Sequence, residues 1–249
     1  MKVLTEINDN IGCAPDIARR LAERGLTKAD RVIYRGRNIV AVTDGAEPMC
    51  LKSFGTPGMI KGLIYGKLRK PKALRAFDNG LRLRALGFDT PEPVAAVCEL
   101  RGGRLGRSYY ACRYLEGWND LRGAENRPDF STLARALAAY MNRLHAAGVF
   151  MKDFTQGNIL FMPDGKGSYR FSLIDINRME FGISDHRKLM ANFGAVLDTA
   201  EGLAVLAHEY AALQSDPGSI ENEIKEIYRR RQVRLWRKRH IKEFIRGKK

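Results

Sequence analysis

The 249-residue sequence predicts an α+β protein, with a small antiparallel-sheet lobe followed by a larger and mostly helical lobe. Three observations predict it. Residues 31–115 carry five short β-patterned runs around one helical repeat. Residues 116–228 are dominated by apolar positions at helical spacing. No internal repeat or low-complexity linker breaks the chain.

In chain order, residues 1–30 read as an N-terminal extension, with a helix predicted between Asp16 and Arg24. "RVIYRGRNIVAVTDG" gives two strands, Arg31 to Tyr34 and Asn38 to Thr43, joined by a tight turn at Arg35-Gly36-Arg37. "PMCLKSF" is a third strand and carries Lys52. Next comes a helix that opens near Pro71 and closes at Gly87, with Leu74, Phe77, Leu81 and Ala85 forming its apolar stripe. Asp78 falls at the inner edge of that stripe. "DTPEPVAAVCEL" and "SYYACRYLEG" supply two more strands around the turn-like "RGGRLGR", which completes a lobe over residues 31–115.

In residues 116–228, Phe130, Leu133, Leu137, Tyr140, Met141 and Leu144 repeat as a helix that Gly148 ends. His145, late in this helix, reads as a structural residue. Short apolar pieces follow, "GVFMKD", "GNILFMP" and "SYRFSLIDIN", broken by the hairpin signal "DGKGS". Helices are expected from about Asp185 to Leu213, and from Ile220 into a basic tail over residues 229–249.

Composition bounds the function. The four cysteines, Cys13, Cys50, Cys98 and Cys112, show no CxxC pairing and sit in or beside apolar segments, so they are expected to be reduced, buried thiols of a cytoplasmic protein. No stretch approaches the ~20 apolar residues that span a bilayer. The net charge of +15 is concentrated, because residues 229–249 hold eleven Lys or Arg against the single acid Glu243. A second basic run extends from Lys61 to Phe77. Such surfaces attract anions. In the tail, Leu235, Trp236, Ile241, Phe244 and Ile245 lie among the cations, a mixture suited to an anionic membrane surface. No nucleic-acid recognition motif accompanies the charge, and no nucleic-acid partner is expected.

The chemistry is concentrated in "MKDFTQGNILF", where Asp153 precedes Asn158 by five residues, and in "SLIDIN", which ends a strand pair on Asp175. Phosphoryl transfer needs one carboxylate to accept the proton of an attacking hydroxyl. It also needs an amide and a second carboxylate to hold Mg²⁺ on the phosphates of ATP. A lysine from the third strand must reach those phosphates, and an acid on the neighbouring helix must hold it. Lys52 and Asp78 occupy those places in the chain.

"MKDFTQGNILF" resembles the catalytic loop of protein-kinase-like enzymes, of pattern HRDxxxxN. "LIDINRMEFG" and "RAFDNGLRLRALGFDTPEPVA" resemble segments of the bacterial lipopolysaccharide kinases that act on Kdo or heptose sugars. The resemblance covers roughly Arg31 to Leu197 and implies a bilobal protein-kinase-like fold. It implies Asp153 as catalytic base, Asn158 and Asp175 as Mg²⁺ ligands, Lys52 as the phosphate-binding lysine and Asp78 as its ion-pair partner. The adenine of ATP would meet backbone groups of Arg113, Tyr114 and Leu115. This sequence departs from the pattern at Met151 and Lys152, which stand where the loop His and Arg are usual, and at Asp78, which stands for a Glu. Asn177 takes the place of the DFG glycine. "YRGRN" lacks a GxGxxG pattern and leaves phosphate cradling to Gly36 and its neighbours.

The implied acceptor is an inner-core sugar of lipopolysaccharide or another phosphorylated glycolipid. The implied location is the inner face of the inner membrane, reached through the basic tail. Two alternatives stay open: a kinase-like phosphotransferase on a protein or small molecule, and a nucleotide-binding pseudokinase.

Overall fold

A computed structural model describes residues 2–28 and 30–246. Two compact units emerge, Met1–Gly117 with Leu173–Arg178, and Trp118–Ser172 with Met179–Lys249.

The first unit is built on a six-stranded antiparallel sheet. Its strands are β1 (Lys2–Ile7), β2 (Arg31–Arg35), β3 (Ile39–Val42), β4 (Met49–Phe54), β5 (Pro93–Arg101) and β6 (Arg104–Arg113), in the order β1-β5-β6-β4-β3-β2. Residues 1–30, expected to precede the sheet, instead supply its edge strand. Lys2 to Ile7 pair in register with Leu100 to Ala95. Because β1 is a largely exposed edge, its sequence "KVLTEI" carries little of the alternation that marks a strand.

A helix covers each face of this sheet. Helix α1 (Ala14–Glu23) turns Ala14, Ala18 and Leu21 onto Leu51, Ala95, Val97, Tyr109 and Ala111. Helix α3 (Lys72–Ala85) packs Ala73, Leu74, Ala76 and Phe77 against the opposite face, on Phe54, Ala96, Cys98, Tyr110 and Cys112. With both faces covered, β5 is buried continuously from Pro93 to Glu99, only Leu100 and Arg101 at its end being partly or fully exposed, and it reads as an apolar run with no alternation. Between β4 and α3 lies a short helix, α2 (Met59–Leu63), continued by one π-helical segment at Ile64–Leu68.

The apolar stripe of α3 is rotated from the one its large side chains suggest. Leu81 and Ala85 are exposed, whereas Ala73, Ala76, Gly80 and Leu83 are buried. Small residues set this face. A Cβ on Gly80 would lie 2.5 Å from Pro93 Cγ, so glycine is what lets α3 lie this close to the start of β5.

The second unit places α4 (Phe130–Ala146) beside α6 (Ala200–Ala211), with α7 (Pro217–Arg246) packed on α6. It also holds a three-stranded sheet in the order β10-β9-β7, made of β7 (Asn119–Asp120), β9 (Ile159–Pro163) and β10 (Tyr169–Leu173). A two-stranded ladder joins β8 (Phe150–Met151) to β11 (Met179–Glu180). The helical stretch expected from Asp185 to Leu213 is interrupted. Helix α5 (His186–Met190) passes into a 3-10 turn at Ala191–Gly194, and α6 starts afresh where Thr199 Oγ1 accepts from the Gly202 N–H. Among the described residues no helix is long and apolar enough to cross a membrane.

Candidate functional site

Lys52 sits on β4 opposite Val40 of β3 and Tyr110 of β6. Strand alternation puts it on the α3 face of the sheet, the same face as Cys50 and Phe54. Its Nζ lies 2.6 Å from Asp175 Oδ1, with only 16% of the side chain exposed. Burying an ammonium this far without a partner is costly, and the carboxylate meets that need.

Asp175 reaches Lys52 from a segment that several hydrogen bonds hold. Thr90 Oγ1 donates to Leu173 O at 2.7 Å, Leu173 N donates to Asp89 O at 3.1 Å, and Asn79 Nδ2 donates to Ile176 O at 2.7 Å. The Asn177 side-chain amide donates to Asp175 Oδ1 at 2.6 Å. Among the described residues Asp175 is the one non-glycine with positive φ, at 55°. A left-handed backbone on a residue with a Cβ costs energy and persists only where surrounding contacts impose it. Here those contacts are the ion pair and the amide of Asn177.

Asp78 does not pair with Lys52. Its Oδ2 meets Lys70 Nζ at 2.5 Å, and both side chains are more than 40% exposed. The rotated stripe of α3 is the reason. At about 100° per residue, Asp78 and Asn79 leave the helix on opposite flanks of the buried face. The Asp175 segment lies on the flank of Asn79. Asn79 and Thr90 are therefore the positioning residues that sequence reasoning missed, and the "FDN" of α3 was the available signal.

The other nucleotide candidates of this unit fall into two groups. Gly36 lies at the β2–β3 turn, where its N–H donates to Asn38 O at 2.9 Å. That turn is backed by Gly55, at which a Cβ would sit 2.5 Å from Arg37 O. Near it, Lys72 has its pKa lowered by burial and then by the positive charges of Arg37 and Arg75. Arg75 is lowered in turn by burial and by Arg69 and Arg178. At the end of β6, the Arg113 guanidinium is engaged by Glu47 at 2.8 Å and Glu92 at 3.0 Å. The Tyr114 N–H is taken by Pro48 O at 2.9 Å, and Leu115 is half-buried just beyond.

Cys50 and Cys112 face each other across β4 and β6 as free thiols, with Cys112 Sγ 3.8 Å from Cys50 O. The hydrogen bond from Cys112 lowers the Cys50 pKa against the opposing effect of burial, and Lys52 lowers it further. All four cysteines are free thiols; Cys98 and Cys112 are buried as expected, whereas Cys13 and Cys50 are half-buried.

In the second unit, Asp153 and Asn158 share a compact loop. Asn158 Nδ2 donates to the main-chain oxygen of Asp153 at 2.8 Å, and Thr155 N donates to the same oxygen at 2.9 Å. These bonds fix the backbone of the loop through the amide of Asn158. Met151, at the position of the usual loop histidine, is 2% exposed and pairs in β8 with Met179 of β11. Apolar packing and a backbone ladder hold the loop's entrance where a polar ring is absent.

His145 is structural, as expected. It is buried between Tyr210, whose hydroxyl lies 2.8 Å from Nδ1, and Asn192, whose side-chain amide lies 3.3 Å from Nε2. Burial, assisted by the charge of His186, pushes its pKa down to about 4. The ring is neutral at physiological pH.

A lipopolysaccharide kinase (Kdo/WaaP) family profile matches residues 55–215. Among solved structures, "WaaP in complex with acyl carrier protein" is similar at 16% identity, covering 92% of this chain and 100% of that one with a TM-score of 0.56. The Rio2 kinase from Chaetomium thermophilum is similar with a TM-score of 0.49 at 15% identity over 93% of this chain and 83% of that one. The same kinase as an ADP/Mg²⁺-phosphoaspartate complex gives 0.47 at 16% identity over 87% and 75%. No curated protein matches the sequence. The fold is protein-kinase-like, as the catalytic-loop pattern predicts.

Proposed function

The chain belongs to the lipopolysaccharide kinase family and is an ATP-dependent phosphotransferase, and from that premise we propose that it phosphorylates a Kdo or heptose hydroxyl of the lipopolysaccharide inner core. The observation that carries the reading is the ion pair of Lys52 with the left-handed Asp175, which joins the two groups that phosphoryl transfer requires from strand and metal segment.

The donor set fits Mg²⁺. That ion takes oxygen ligands and is usually held by one or two carboxylates together with substrate phosphates. Asp175 would offer it a carboxylate and Asn158 an amide oxygen. Among the described residues no group of three or more His, Cys, Asp or Glu gathers as an all-protein metal cage would need. Bound with ATP, Mg²⁺ would neutralise charge on the transferring phosphoryl group. Lys52 would exchange its bond to Asp175 for one to the nucleotide phosphates, which frees the carboxylate for the metal. Asp153 would orient the sugar hydroxyl and accept its proton during in-line attack. Backbone groups near Tyr114 and Leu115 would meet the adenine edge, with Leu115 as the donor because the Tyr114 N–H is already bonded. Besides burial, the positive charges of Arg37 and Arg75 depress Lys72, a gathering of cations that favours an anionic ligand beside the β2–β3 turn.

The acceptor is read as a phosphate- and carboxylate-bearing glycolipid, approached from the inner face of the inner membrane. In α7, Leu235, Trp236 and Ile241 are exposed, as membrane contact by the tail requires. The side chains of Phe244 and Ile245, and residues 247–249, lie outside the described residues. The test is mass spectrometry of core oligosaccharide incubated with the chain, ATP and Mg²⁺. Addition of phosphate to a Kdo or heptose residue is expected; transfer only to protein or small-molecule acceptors would overturn the assignment.

A further inference from the structure

The segment formed by α2 and the π-helical residues after it is built inside out. Its two glycines face the protein. Gly62 is buried, and a Cβ there would sit 3.5 Å from Leu105 O; a Cβ on Gly66 would sit 2.0 Å from Gly103 O. The segment therefore rests its backbone directly on the β5–β6 hairpin, and at Gly66 a larger residue would prevent that contact. Its large apolar side chains point away. Met59 is 68% exposed, Ile60 78% and Leu68 84%, with Leu63 and Ile64 also exposed. An amphipathic helix on a globular protein normally does the reverse.

Charge decides what could cover this face. Lys61, Lys67 and Arg69 are exposed along the same segment, Lys70 beside them is taken by Asp78, and from Gly55 to Phe77 the sequence holds six Lys or Arg and no Asp or Glu. Exposed Met, Ile and Leu rimmed by cations are the composition of a helix that lies in the plane of a bilayer surface with acidic headgroups. The cations meet the lipid phosphates, and the apolar side chains enter the boundary of the acyl chains.

We propose that the segment Met59–Leu68 is an interfacial anchor that seats the first unit on an anionic lipid bilayer, a contact distinct from that of the basic tail. It goes beyond the kinase reading and does not depend on which sugar accepts the phosphate.

The test is flotation of the full chain, without nucleotide, on vesicles of phosphatidylglycerol and phosphatidylethanolamine, with phosphatidylcholine vesicles as the uncharged control. The double variant Ile60→Ser, Leu68→Ser keeps every charge and removes two of the most exposed apolar groups. Its melting temperature should match wild type, and its partition onto the anionic vesicles should fall by about tenfold or more. A second variant, Ile60→Trp, should partition at least as well as wild type, with its added emission shifted to the blue on binding. The inference is overturned if the serine variant floats like wild type, if wild type prefers neither vesicle, or if the substitution changes only the oligomeric mass in light scattering, which would make the face a contact between copies. Phosphate transfer to a water-soluble core oligosaccharide is measured in parallel. Loss of that activity in wild type would sink the kinase assignment while leaving the flotation result standing.

Discussion

Replacing Asp175 by Asn, Gly and Ala separates what its side chain does for the fold from what it does for catalysis. Two opposed contributions meet at this residue. Its carboxylate receives Lys52 at 2.6 Å and Asn177 at 2.6 Å. Hydrogen bonds involving a charged group contribute about 1.5–3 kcal/mol, and the 35% exposure of the Asp175 side chain reduces the ion pair to about 1–2 kcal/mol. Against this stands a left-handed backbone, φ 55°, which costs a residue with a Cβ about 1 kcal/mol relative to glycine. Alanine keeps the strain and loses the bonds, so Asp175→Ala should lose about 2 kcal/mol. Glycine loses the bonds and relieves the strain, and Asp175→Gly should lose about 1 kcal/mol less than alanine. Asparagine tolerates the left-handed region and keeps a neutral bond to Lys52, and should be the most stable of the three. For a chain of this size each kcal/mol moves the melting temperature by about 2–4 °C, so calorimetry resolves the order Asn, Gly, Ala. All three should lose Mg²⁺-dependent phosphate transfer by about 10²-fold or more. An alanine variant as stable as the glycine one would refute the argument from backbone strain; Mg²⁺-dependent turnover retained in any of the three would refute the metal-binding role.

Asp153→Asn should reduce transfer by about 10²–10⁴-fold while the loop backbone stays held by Asn158 at the main-chain oxygen of residue 153; turnover near wild type would remove Asp153 as the base. Asp78→Ala should cost about 0.5 kcal/mol or less and leave turnover nearly intact, since its partner Lys70 is as exposed as Asp78 itself; a tenfold fall in turnover would show that Asp78 acts on Lys52 after all. His145 has a folded pKa of about 4 against an ordinary value of 6.5, so the unfolded chain binds its proton first. Stability from this ring is complete above about pH 6.5 and is lost as pH falls toward 4, by about 3 kcal/mol in all. Denaturant titrations from pH 7.5 to 4.5 should show that slope in wild type and lack it in His145→Asn; equal slopes would contradict the buried neutral ring.

The sequence by itself determined the fold class and singled out candidates for the reacting groups. The short apolar runs of β3, β4 and β6, the helical repeat from Phe130 to Leu144, and the loop pattern that joins Asp153 to Asn158 are all local patterns, and local patterns are legible in a chain. Three features were decided only by tertiary structure. The edge strand β1 exists because the backbone of β5 was free to pair with it, which its own sequence, with little alternation, does not announce. Helix α3 buries Ala73 and Gly80 in preference to Leu81, because close approach to Pro93 rewards small residues over large ones. That rotation, in turn, sends Asp78 to Lys70 and delivers Asn79 to the Asp175 segment, leaving Lys52 to pair with Asp175 itself. Spacing along a chain fixes which groups share a helix or strand; the angle at which that helix packs fixes which of them meet.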